Sequence, residues 1–123
     1  MANTTFYIEN GIVFCTFIGE ISLEQIFGFA LMNRESWKDL PRIWNFSRAD
    51  LSGLSYERLQ EFIDTIEPDL KNRTPAKVAL YADNDRSFPY LRMFESIVEG
   101  KSLAEEYGNF KNWEAALNWL EQK

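Results

Sequence analysis

Arg42-Ile43-Trp44-Asn45-Phe46-Ser47-Arg48-Ala49-Asp50-Leu51-Ser52-Gly53-Leu54-Ser55, followed at once by Tyr56-Glu57-Arg58-Leu59, is the stretch that decides the fold. It reads as an apolar strand from Arg42 to Ser47, a polar Ser/Gly turn, and then a helix. Such a turn gathers free amide N–H groups at the carboxyl end of a strand, where α/β proteins bind ligands or partners.

Working outward, the same strand–helix alternation repeats. Phe6 to Glu9 and Ile12 to Ile18 are β-branched and aromatic runs separated by Asn10-Gly11, a pair suited to the two positive-φ positions of a type I′ hairpin turn. A first helix is expected from Ser22, whose hydroxyl can cap it while Gln25 reaches back. Leu23, Ile26, Phe27, Ala30 and Leu31 form its stripe at i, i+3, i+4, i+7 and i+8. A second helix carries Leu59, Phe62, Ile63 and Ile66 and is expected to stop near Pro68. Ala76 to Ala82 reads as a buried strand. The third helix opens at Ser87 and Pro89, carries Tyr90, Met93, Phe94, Ile97 and Val98, and ends by Gly100. The last follows Asn112 with Trp113, Ala116, Leu117 and Leu120. Residues 102–110 fit either a short strand or a helical continuation, because Glu105 and Glu106 suit neither a buried strand nor a core. The expectation is one α/β domain over residues 1–123: a mixed, mostly parallel sheet of four to five strands with an N-terminal hairpin and four helices.

Composition narrows the function classes. A chain of 123 residues is one domain, able to bury about two thirds of its unfolded surface. Its net charge of −6 argues against a duplex nucleic-acid binder. One cysteine, Cys15, excludes an internal disulfide and fits a reducing compartment. The amino terminus lacks the regions of a signal peptide, and no apolar run reaches the length of a membrane span. A cytoplasmic location is therefore expected. Histidine is absent, which removes the commonest general base and the usual transition-metal ligand. Gly-rich phosphate loops are missing as well. The expectation is a protein that is no enzyme and carries no cofactor and no metal.

Three segments resemble the STAS superfamily, and most closely its SpoIIAA-like branch, which is related to the Sec14-type lipid-binding fold. Gly19-Glu20-Ile21-Ser22-Leu23-Glu24 resembles the family's entry to its first helix. Phe110-Lys111-Asn112-Trp113-Glu114-Ala115-Ala116-Leu117-Asn118-Trp119-Leu120 is similar to its terminal helix. Asp50-Leu51-Ser52-Gly53-Leu54 resembles the Asp-Ser-Ser-Gly-Leu loop of anti-sigma-factor antagonists, in which the Ser before the Gly is phosphorylated by a partner kinase. Ser52 occupies that slot. The chain departs from the pattern at Leu51, which replaces the first Ser, at Ser55, which stands where a Gly usually follows, and at Asn45, where many relatives have Asp. These departures weigh against kinase regulation and leave the implied fold intact. The resemblance implies a non-catalytic regulatory or binding module.

Three sets of residues are candidates for contact with something outside the chain. The first is Asp50, Ser52, Gly53 and Ser55, a loop for a partner or a phosphate at the positive end of the second helix, or simply a capped turn. The second is Asp83, Asp85, Arg86 and Ser87. In a parallel sheet this loop emerges on the same edge, and it reads as an anion or hard-cation loop or as a solvated turn capped by Ser87. The third is apolar: Phe27, Phe29, Met32, Met93 and Phe94. Phe29 and Met32 project off the main stripe of the first helix, so core contact with Trp37, a homodimer partner, an apolar ligand or a membrane surface could cover them. Gly28 points to close approach of another element. A protein partner or a small apolar ligand is expected, and a Sec14-like lipid carrier, peripherally membrane-associated, is the alternative. An enzyme using acidic residues at the same edge ranks third.

Overall fold

A computed structural model describes residues 3–122. The hairpin of β1 (Asn3–Glu9) and β2 (Ile12–Glu20) turns at Asn10 and Gly11, with φ of 53° and 77°, the two positive values the dipeptide implied. Parallel to β2 run β3 (Arg42–Asp50), β4 (Ala76–Tyr81) and β5 (Glu105–Phe110), in the spatial order β1-β2-β3-β4-β5. The sheet is thus mixed through its N-terminal hairpin and parallel elsewhere, as the alternating pattern indicated.

Side-chain alternation splits the sheet into two cores. Val13, Cys15, Phe17, Trp44, Phe46, Val78 and Leu80 face helices α1 (Leu23–Met32), α3 (Tyr56–Lys71) and α4 (Phe88–Val98). Ile12, Ile43 and Ala79 face α5 (Trp113–Glu121), which supplies Ala116 and Leu120. Burial on both faces is why β4 (Ala-Lys-Val-Ala-Leu-Tyr) is almost continuously apolar rather than alternating. A one-turn helix, α2 (Arg34–Trp37), is an addition to the four expected; it drives Trp37 into the main core. No helix among the described residues is long and apolar enough to cross a membrane.

Residues 102–110, left open by the sequence, contain β5. Glu105 is compatible with a strand because its buried carboxylate accepts from Arg42 Nη1 (2.7 Å) and from the Tyr107 hydroxyl (2.7 Å), while Glu106 points to solvent. The second helix of the sequence reading, α3, also runs past its expected end. Pro68 lies inside it on the exposed side, and the fully buried Leu70 and the Asp69–Arg73 pair (3.2 Å) hold the final turn. A proline whose lost bond faces water is tolerated when packing anchors the helical turn beyond it.

In α1 the capping box forms as its spacing indicates: Gln25 N donates to Ser22 Oγ (3.2 Å) and Ser22 N donates to Gln25 Oε1 (2.8 Å). The buried stripe differs from expectation at one position. Phe29 turns inward against Phe6, Phe17 and Trp37, at ring separations of 5.9, 6.0 and 5.5 Å, whereas Leu31 is 52% exposed. Gly28 has no close neighbour, contrary to the close approach inferred from it, since a β-carbon there would meet nothing within 4 Å. Gly28→Ala is therefore expected to stabilise the protein by about 0.5–1 kcal/mol, by removing backbone freedom from the unfolded chain. A denaturant titration showing no gain would mean that the site is occupied in solution.

Candidate functional site

The carboxyl ends of β2, β3 and β4 gather three loops on one edge of the sheet, and a bulge in β3 sets their arrangement. Thr16 pairs with Asn45, yet Ile18 pairs with Arg48, so β3 carries one extra residue at Phe46-Ser47. Bulges re-aim side chains beside strand ends. Here the bulge leaves the Ser47 hydroxyl accepting from Asp83 N (3.0 Å) and the Ser47 carbonyl accepting from Asn84 Nδ2 (2.8 Å), which ties the β4–α4 loop to β3. The β2–α1 loop is tied to the same strand by Ile21 N donating to the Asp50 carbonyl (3.2 Å).

Within the β3–α3 loop the four candidate residues stand together. Ser52 N donates to Asp50 Oδ1 (2.9 Å), an Asx-type turn, and Leu54 N closes onto the Leu51 carbonyl (3.0 Å). Ser55 caps α3 by accepting from Arg58 N (3.2 Å). Asp50, Ser52 and Gly53 are exposed. Hydrogen bonds from the Ser52 side chain and backbone, with the Arg86 guanidinium nearby, hold the Asp50 carboxyl below the usual carboxylate range. The segment presents a hydroxyl and a carboxylate to solvent on a loop fastened at both ends.

The β4–α4 loop is organised differently from the expected Ser87 cap. Asn84 Oδ1 accepts from Arg86 N (3.1 Å) and Ser87 N (2.8 Å), so Asn84 does the capping. Ser87 is buried, and its hydroxyl donates to the Ala49 carbonyl (3.3 Å), which makes it a strut under β3 rather than an anion ligand facing outward. Asp85 is engaged by Lys111, whose ammonium also lies over the Phe88 ring. The Lys111 contact lowers the Asp85 carboxyl, the hydrogen bond being the larger cause. Asp83 and Arg86 are exposed. Among the described residues no three His, Cys, Asp or Glu side chains gather into a metal-binding group.

The five apolar candidates do not share one pocket. Phe27 and Phe94 lie 6.3 Å apart and line a cavity of about 40 Å³ under the β3–α3 loop, together with Trp44, Leu51, Leu54 and Leu80. Phe29 belongs to the separate aromatic group around Trp37, Met93 is half-buried, and Met32 is 82% exposed. A cavity that admits benzene measures roughly 150 Å³, so this one has no room for an acyl chain. Leu51 and Leu54 are what the sequence reading missed. Their i, i+3 spacing on either side of Ser52-Gly53 was the available signal that the loop is pinned to the core. Cys15, 1% exposed, has its thiol pushed up to about 12 by burial, and is chemically quiet.

No family model and no curated protein matches the sequence. Among solved structures, the chain is similar to an uncharacterised protein of the DUF3478 family with a SpoIIAA-like fold from Shewanella loihica PV-4. The identity is 12% and the TM-score 0.57, over 97% of this chain and 93% of that one. It is also similar to an anti-sigma factor antagonist from Mycobacterium paratuberculosis, at 15% identity and a TM-score of 0.55, over 99% of this chain and 96% of that one. On a likeness that spans nearly its whole length, the chain has the SpoIIAA-like (STAS) fold.

Proposed function

We propose that this protein is a non-catalytic regulatory module that binds a protein partner through the loops at the carboxyl edge of its sheet. The observation that carries the reading is the β3–α3 loop. Its Ser52-Gly53 tip is exposed, while Asp50, Leu51, Leu54 and Ser55 fix its shape from both sides. A loop ordered before contact loses little entropy on docking, which is how a small patch achieves affinity. The structural likeness to an anti-sigma factor antagonist supports a protein rather than a small molecule as the occupant. A catalytic reading has less to work with. The chain has no histidine, its one thiol is buried, and Asp85 at the same edge is held by Lys111.

The test is affinity capture from a lysate of the source organism, using wild type and Ser52→Asp in parallel. The substitution lies on an exposed loop tip and is expected to change folding stability by less than about 0.5 kcal/mol. Setting a second carboxylate beside Asp50 is expected to weaken the partner's binding about tenfold, equivalent to about 1.4 kcal/mol. Identical binding curves for the two proteins would remove the loop from the interface.

A further inference from the structure

The sheet begins with β1, and among the described residues no strand pairs with its outer side. Which of its main-chain groups are free follows from the turn. In a two-residue hairpin the flanking residues, Glu9 and Ile12, exchange both of their main-chain bonds, and the register then runs without a shift to Asn3–Ile18. Asn3, Thr5, Tyr7 and Glu9 therefore bond β2. Thr4, Phe6 and Ile8 turn their N–H and C=O groups the other way, away from the sheet.

An edge strand is normally guarded by lysine, proline, a bulge or an inward-pointing charge. The far edge of this sheet is guarded in that manner, since β5 carries the buried Glu105, the exposed Glu106 and, within it, Gly108. β1 has no such device from Asn3 to Ile8. It is β-branched and aromatic, with Tyr7 56% and Ile8 45% exposed, and its one charge, Glu9, stands at the turn.

We propose that β1 pairs antiparallel with β1 of a second copy of the chain, about a two-fold axis at Phe6, joining the two five-stranded sheets into one. The free groups choose the register. Thr4, Phe6 and Ile8 of one copy must oppose the same three of the other, and within Asn3–Glu9 only centring on Phe6 uses all three. Phe6 then opposes Phe6 and Thr4 opposes Ile8, which gives about six main-chain hydrogen bonds. Thr5 falls beside Tyr7, a favourable β-branched and aromatic pair.

Charge selects the same partner and orientation. The two Glu9 carboxylates lie at opposite ends of the ladder, roughly 20 Å apart, about two Debye lengths at physiological salt. Parallel pairing would set Glu9 beside Glu9. Association stops at two copies, because the strands left outermost are the guarded β5 edges. The axis is normal to the sheet, so the Ser52 loops of the two copies point to opposite ends and stay free. The pairing does not depend on those loops.

Sedimentation velocity of the full chain from about 1 to about 300 µM tests it. Pairing along one strand makes a small interface, so a dissociation constant on the order of 10 µM is expected, with the mass doubling across the range. Ile8→Pro removes an outward N–H from each copy, at an edge position where proline is tolerated. It is expected to remain monomeric throughout and to melt as wild type does at the lowest concentration. The double variant Thr5→Cys, Tyr7→Cys reads the register and decides the matter if the proline variant does not fold. Across a non-hydrogen-bonded pair the new thiols are within disulfide reach of the other copy, and oxidation is expected to give a covalent dimer. The buried Cys15 does not compete. A wild type that stays monomeric at about 300 µM overturns the pairing and leaves the edge to an extended segment of another protein. A dimer equally tight in folded Ile8→Pro, or no covalent dimer on oxidation, overturns it too and moves any contact to another face, such as α1 at Met32.

Discussion

Replacing Glu105 by alanine is expected to destabilise the fold by about 3–5 kcal/mol, because it strands a buried cation. Arg42 donates Nη1 to Glu105 (2.7 Å), Nη2 to the Lys38 carbonyl (2.8 Å) and Nε to the Leu40 carbonyl (3.3 Å), and its guanidinium lies over the Trp37 ring. Burial already pulls the Arg42 pKa down, and Glu105 is the charge that chiefly opposes that pull. Without Glu105 the guanidinium keeps its desolvation penalty and loses its counter-charge. The Tyr107 hydroxyl loses its acceptor in the same step. The double variant Arg42→Met, Glu105→Leu removes both charges of this pair and is expected to recover part of the loss, since a buried ion pair contributes little over an apolar replacement of similar volume, while Arg73, 3.6 Å from Glu105, and the Tyr107 hydroxyl still lose that carboxylate. Urea unfolding of the two single variants and the double closes the cycle. Strictly additive losses would mean that the two side chains do not interact.

Phe17→Ala carries the other large effect, about 3–5 kcal/mol. Phe17 is fully buried, stacked on Phe46 at 4.6 Å between centroids and packed against Trp44 (5.8 Å) and Phe29 (6.0 Å). It lies on β2 at the irregularity in the β2–β3 register, between Thr16 and Ile18. The consequence is more than a cavity. The bulge that turns Ser47 toward the β4–α4 loop has Phe17 directly opposite, so the alanine variant is expected to weaken partner binding as well as stability. Phe17→Leu keeps most of the volume and is expected to cost under about 1.5 kcal/mol. Melting curves for both variants, read beside partner titration, check the two effects together. A loss below about 1 kcal/mol for the alanine variant would mean that the core closes around the gap.

The parts of the fold that were legible in the sequence are those decided within a few residues. Asn10-Gly11 admits both positive φ values, Ser22 and Gln25 sit three apart, and Asn112 caps α5 through Ala115 N (2.9 Å). The illegible parts are decided by partners far along the chain. Glu105 is a strand residue because Arg42 neutralises it across 63 positions. Of the covers the sequence left open for Phe29, the fold supplies the core contact with Trp37, joined by Phe6 from β1, and α3 continues past Pro68 because Leu70 has a place in the core. In the loops, Ser52 and Ser55 lie where the strand–turn–helix reading put them, whereas Asp50 is the last residue of β3, which runs three residues past its expected end at Ser47. Ser87 does not keep its expected role, because Asn84, three residues earlier, reaches the free amides first and leaves the Ser87 hydroxyl to the Ala49 carbonyl. Two polar residues competing for one cap look equivalent in sequence, and only the path of the chain after the β3 bulge separates them.

Hydrogen exchange read by mass spectrometry, on the free protein and on its complex with the captured partner, tests the central claim most directly. Binding through the carboxyl edge predicts slowed exchange in residues 19–25, 50–58 and 83–88, with α5 and β1 unchanged. Slowing concentrated on α5, or on the exposed end of α1 at Leu31 and Met32, with the Ser52 loop exchanging as in the free protein, would contradict it.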